Sequence, residues 1–102
     1  MRALRVQGIV AEIVDVQNEL EALQAAVGGY IETIGLQGGA VMIVDEEGRL
    51  KGYPTNSLAS LVAGTDIVGT ALIVGADDDE FDDVPDLYIE SILLLSDVLN
   101  ER

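Results

Sequence analysis

The chain has 102 residues, 49% of them hydrophobic, with 19 acids against 5 bases, no histidine and a formal net charge of −14. That length suits one domain with a buried core, roughly 65% of the unfolded surface being lost on folding, and the aliphatic content excludes an acidic disordered chain. The absence of cysteine removes disulfides, thiolate nucleophiles and zinc–thiolate sites, while the charge opposes direct binding to nucleic acid phosphates or anionic membranes.

Residues 2–7 read as a first strand and residues 9–16 as a second, joined by a hairpin through Gln7 and Gly8. Gln7, Glu12 and Asp15 interrupt the stretch where a signal peptide needs its apolar region. Nowhere does the chain reach the roughly 18 apolar residues of a membrane span, so cytoplasmic residence is expected. Asn18 is a suitable N-cap, with Glu21 three residues on as in a capping box. Leu20, Leu23 and Val27 form one apolar stripe, and Gly28 can take the left-handed conformation that ends a helix. The first helix is therefore predicted over 19–27.

Alternation over 30–36 predicts a third strand, Gln37-Gly38-Gly39 a turn, and Ala40 to Asp45 a fourth strand. Asp45-Glu46-Glu47-Gly48 reads as a second turn. A short returning strand at 49–52 would then complete a meander. Thr55 or Asn56 caps a short helical turn at 57–62 that Gly64 ends. Residues 67–74 are apolar enough for a central strand. The acidic run Asp77-Asp78-Asp79-Glu80-Phe81-Asp82-Asp83 follows, ordinarily a solvated loop, and Pro85 opens a final helix to about Asn100. That helix carries two apolar stripes: Tyr88, Ile92, Leu95 and Leu99, and, rotated away, Leu87, Leu94 and Val98. One packs on the sheet; the other is either buried too or a surface for self-association, for which a homodimer is expected. The predicted fold is one α+β domain over 1–102, ββαβββ(α)βα. Its sheet is mainly antiparallel with five to six strands, and it carries one central helix, one short helical turn and a C-terminal helix.

Four stretches carry a resemblance: Glu21-Ala22-Leu23-Gln24 leading to Val27-Gly28-Gly29-Tyr30-Ile31-Glu32; Asp45-Glu46-Glu47-Gly48-Arg49-Leu50-Lys51-Gly52; Pro54 with Asn56; and Gly69-Thr70-Ala71-Leu72-Ile73-Val74-Gly75. In this order and spacing they resemble a family of small domains, domain of unknown function 3846, scattered through bacteria, phages and mobile elements. The resemblance implies a short accessory protein of a phage or mobile element, acting in the host cytoplasm. The long acidic run and the strongly aliphatic last helix depart from the family's usual look.

Most chemistries find no footing. A Ser or Thr nucleophile would need a base other than His, and the single lysine, Lys51, lies in a charged segment where solvation is expected. No EF-hand loop starts at Asp77, since the glycine and the glutamate of that pattern are missing, and no glycine pair has phosphate-loop spacing. No cofactor and no metal site is expected, and an enzyme is not. Tyr30, Tyr53 and Asn56 could line a small-molecule pocket, although a tyrosine at a core edge and a helix-capping asparagine explain them as well. The leading expectation is a binding protein whose acidic patch, Asp77, Asp78, Asp79, Glu80, Asp82, Asp83 and Asp86, meets a protein partner with a basic surface, possible mimicry of phosphates included. A small-ligand binder and a carboxylate-dependent hydrolase are the alternatives.

Overall fold

Strand-period alternation and helix-period stripes sort this chain into two faces of one sheet. The computed structural model describes residues 1–101. In chain order it contains β1 (Arg2–Gln7), β2 (Val10–Asp15), α1 (Leu20–Val27), β3 (Ile31–Leu36), β4 (Ala40–Asp45), α2 (Ser57–Ala63), β5 (Ala71–Asp77), β6 (Glu80–Asp82) and α3 (Asp86–Leu99). The strands form one open antiparallel sheet in the order β2-β1-β5-β4-β3, with β6 also paired to β5. The fold is α+β.

Because successive side chains on a strand point to opposite faces, the central strands are apolar on both. Ala3, Val41, Ile43, Leu72 and Val74 pack with Leu23 and Val27 of α1. Leu4, Val6, Met42, Val44 and Ile73 pack on the other face with Leu58 and Ala59 of α2 and Ile92 of α3. All six residues of β4 and the first five of β5 are buried, so the 67–74 segment does supply the central strand. It starts later than expected, at Ala71, because residues before it pair with the preceding loop: Val68 bridges Thr55, and Ile67 O accepts from Asn56 N at 2.8 Å.

Residues 49–52 form turns instead of a strand. β4 already has β3 on one side and β5 on the other, so no ladder edge is open to a returning strand. The chain closes on itself there, with Lys51 N donating to Glu47 O and Gly52 N to Arg49 O. The capping box at the first helix does not form either. Glu19 occupies the N-cap position without a side-chain bond, and Asn18 instead donates its Nδ2 to Phe81 O at 2.9 Å. Leu20 lies exposed, leaving Leu23 and Val27 as the buried stripe.

The acidic run is also more ordered than a loop. β5 continues to Asp77, turns at Asp78, whose φ is +55°, and returns as β6, with Asp77 opposite Glu80 and Gly75 opposite Asp82. β1 pairs with residues 71–73 of β5 and β6 with residues 75–77, in line along the same edge. Arg2 holds the joint: its N–H donates to Asp83 Oδ1 at 2.7 Å, its carbonyl accepts from Val84 N at 2.8 Å, and its guanidinium reaches Asp86 at 3.0 Å. Pro85 sits at the N-cap of α3, just outside the helix, with its carbonyl accepting from Tyr88 N and Ile89 N.

Candidate functional site

The hairpin β5–β6 carries five of the seven acids that the sequence singles out, Asp83 following it and Asp86 opening α3. Asp77, Asp78, Asp79, Glu80, Asp82, Asp83 and Asp86 are all exposed. Strand parity puts Asp77, Glu80 and Asp82 on the sheet face that also bears α2 and α3, while Asp78 and Asp79 form the tip. Asp83 and Asp86 are engaged by Arg2. No ion pair within the described residues reaches the other five. The four described bases are all occupied internally: Arg2 with Asp86, Arg5 with Glu12, Lys51 with Asp45, and Arg49 with the Asp66 carbonyl.

Charge density along the ribbon can be compared with that of a duplex. Five acids, from Asp77 to Asp82, fall on a hairpin whose paired length is three residues, about 10 Å at ~3.4 Å per residue. Duplex DNA carries one charge per ~1.7 Å of axis, or about six over the same distance. Among the described residues no group of three or more acids is placed to hold a metal ion. The carboxylates are therefore spread along the ribbon, not converged on a point.

A second cluster lies where α1, the 45–56 segment and the start of β5 meet. Asn56 is buried and fully bonded: its Nδ2 donates to Val6 O and to Gly69 O, both at 2.8 Å, and its Oδ1 accepts from Ala59 N at 3.1 Å. It caps α2, as expected, and also ties that helix to β1. Asp45 is buried at the end of β4. It accepts from Lys51 Nζ at 2.7 Å and from Glu47 N at 2.9 Å, and the lysine also donates to Gly28 O at 2.9 Å. Lys51 stays exposed, as expected, and is also ion-paired, because the 45–53 turns fold its chain back over the Asp45 carboxylate. That bond holds the Asp45 carboxyl below its ordinary range against the opposing effect of burial, and it pushes Lys51 up. A side chain at Gly29 would collide with both groups.

Tyr53 fills the middle of this junction. A Cβ at Gly69, where φ is +76°, would come within 2.5 Å of its ring, and one at Gly48 within 3.3 Å. Tyr53 and Asn56 line a cavity of about 510 Å³ together with Gln7, Ala26, Pro54 and Thr70. Tyr30 does not join them; it is 65% exposed and lines no part of that cavity. Two of the polar groups at the cavity are already engaged within the chain, Asn56 as described and Gln7 Nε2 by Thr70 Oγ1 at 2.8 Å.

On α3, Ile92 and Ser96 are buried, with Tyr88 and Leu95 packed against the core and Leu99 42% exposed. Leu87, Leu94 and Val98 form the outward stripe, 70%, 66% and 54% exposed. Beside it, a cavity of about 410 Å³ opens between α2 and α3, lined by Val62, Leu87, Tyr88, Ser91 and Leu95 and closed at one end by the β3–β4 turn. Sequence periodicity separated these stripes; the facing α2 wall had no signal in the sequence.

These features define a small α+β domain with an acidic ribbon at one sheet edge and a two-sided C-terminal helix. Residues 1–95 match the family described as Domain of unknown function (DUF3846), and the chain belongs to that family. No curated protein and no solved structure gives a significant match. The stretches that carried the resemblance, around Gly28-Gly29, Asp45 to Asn56, and Gly69, meet at the Tyr53 junction, where they explain one another structurally. Among the described residues no helix is long and apolar enough to cross a membrane.

Proposed function

We propose that this protein is a non-enzymatic binding module whose acidic hairpin docks on a cationic surface of a partner protein, one that otherwise receives nucleic acid phosphates. The observation that carries this reading is the unpaired set Asp77, Asp78, Asp79, Glu80 and Asp82, projected on an ordered ribbon while each described base is engaged elsewhere. Unpaired carboxylates of one sign raise encounter rates with basic surfaces. Their duplex-like linear density supports competition for the same sites. The phage or mobile-element setting implied by the resemblance fits an accessory protein acting on host machinery in the cytoplasm.

The test is affinity capture from host lysate at low and high salt, with Asp77→Asn/Asp78→Asn/Asp79→Asn/Glu80→Gln as control. Partners should be released by salt, absent from the neutralised variant and displaced by a short DNA duplex. Capture that is indifferent to the four substitutions would exclude the hairpin as the contact.

A further inference from the structure

We infer that the outward seam of α3, with the groove between α3 and α2, seats a cationic amphipathic helix of the partner. This rests on the acidic docking proposed above and assigns the partner's chemistry at a second, contiguous surface. Leu87, Ser91, Leu94 and Val98 recur at i, i+4, i+7 and i+11. That is the d-a-d-a seam of a coiled coil over two heptads. The seam is exposed in this chain, and the groove along it is walled by Leu87, Tyr88, Ser91 and Leu95 on α3 and by Val62 on α2. Of the two hydroxyls on the wall, that of Tyr88 already donates to Gln37 O at 2.6 Å, which leaves Ser91 as the single free hydroxyl along the seam. A seam of this period fits a helix better than an extended strand or a loop, whose side chains do not recur every 3.5 residues. From Leu87 to Val98 the seam spans about 17 Å at ~1.5 Å per residue, enough for three turns of a partner helix.

The flanking positions choose between occupants. With Leu87 and Leu94 at d, the g positions are Glu90 and Asp97, and the e positions, Tyr88 and Leu95, face the groove. No base lies on α3. A second copy packed antiparallel would set Glu90 and Asp97 against their own counterparts, and a parallel copy would set them against apolar e positions. Neither arrangement neutralises two chains that each carry a charge of −14. A helix with Leu at its own seam and Lys or Arg on its flanks satisfies the apolar and the acidic positions together. The acidic hairpin adjoins the seam's start, since only residues 83–85 separate β6 from α3, and it extends the negative field along the same partner.

The probe is an 18-residue peptide with Leu at a and d and Lys at e and g, compared with the same peptide carrying Glu at e and g. Binding to the full chain is read by fluorescence anisotropy, and peptide folding by far-UV circular dichroism. The Lys peptide should bind and gain helicity; the Glu peptide should not bind. Leu87→Ser/Leu94→Ser, at exposed positions that leave the melting temperature unchanged, should weaken it at least ~10-fold, and Glu90→Gln/Asp97→Asn roughly 3-fold or more. Equal binding to the parent and to Leu87→Ser/Leu94→Ser would overturn the inference. If that binding were still lost on neutralising residues 77–80, the hairpin reading would survive alone; if not, both would fall. A stable dimer by light scattering, dispersed by Leu87→Ser/Leu94→Ser, would give the seam to a second copy and likewise overturn the inference.

Discussion

The Tyr53 junction and the acidic hairpin end use the same kinds of residue to opposite effect. At the junction the buried polar side chains have partners within the chain: Asn56 makes three bonds, Asp45 is clamped by Lys51, and two glycines admit a tyrosine ring. At the hairpin end, five carboxylates have no ion-pair partner among the described residues, and Leu87, Leu94 and Val98 lie exposed beside them, on an ordered backbone. Polar groups that are satisfied internally fix the architecture, whereas unpaired charge beside bare apolar surface is what a second molecule can recognise. The stretches that carry the family resemblance converge on the architectural end, so the resemblance by itself points to the fold and not to the proposed docking surface.

The contrast can be broken most severely at Asn56. Asn56→Ala removes a helix cap and leaves the Val6 and Gly69 carbonyls without their donor, and it should lower the unfolding free energy by about 3–4 kcal/mol in a denaturant titration. Gly69→Ala comes next: positive φ and contact with the Tyr53 ring should cost about 2 kcal/mol, read the same way. A loss below ~0.5 kcal/mol for either would show that the junction is looser than its bonding implies.

The ion pair gives a smaller, pH-resolved effect. Asp45 is held below its ordinary value of 3.8, so its contribution is complete above that pH and is lost as pH falls through its lower folded value. Lys51 is raised above 10.5, so its contribution is complete below that pH and is lost as pH rises through its higher folded value. Thermal melts between pH 2 and 12 should show both arms in the parent. In Lys51→Met the alkaline arm should be reduced, and the acid arm should be weakened by loss of the ammonium. The smallest effect belongs to the other end. Neutralising Asp78, Asp79 and Glu80 should change stability by no more than ~0.5 kcal/mol, because no internal cation is lost. A large destabilisation there would show that the hairpin acids belong to the architecture after all.

Much of this was legible in the residues, and the failures have physical reasons. Gly8, Gly28, Gly64 and Pro85 bounded their elements because a glycine or proline acts locally. The central strand was readable because residues 71–75 are apolar on both parities. The 49–52 strand failed since pairing depends on which edges remain open, a property of the whole sheet. Asn18 was drawn away from its cap by Phe81, 63 residues further on. The order of the acidic hairpin was hidden because aspartate disfavours strands, and pairing to a buried central strand overrides that preference. Tyr30 was misplaced, and the pairing of the exposed Lys51 with Asp45 missed, for a related reason: where a side chain finds its neighbours depends on chain segments that no spacing rule reports.

The acidic ribbon is the far end of β5, the same strand whose first half is the most enclosed in the sheet, and Arg2 fastens its return to β1. Its charges are therefore preorganised before any encounter, and little ordering entropy remains to oppose association. Recognition by such a surface is governed by approach and orientation. In the proposed complex, ionic strength would act chiefly on how fast it forms, and apolar contact along α3 on how long it lasts.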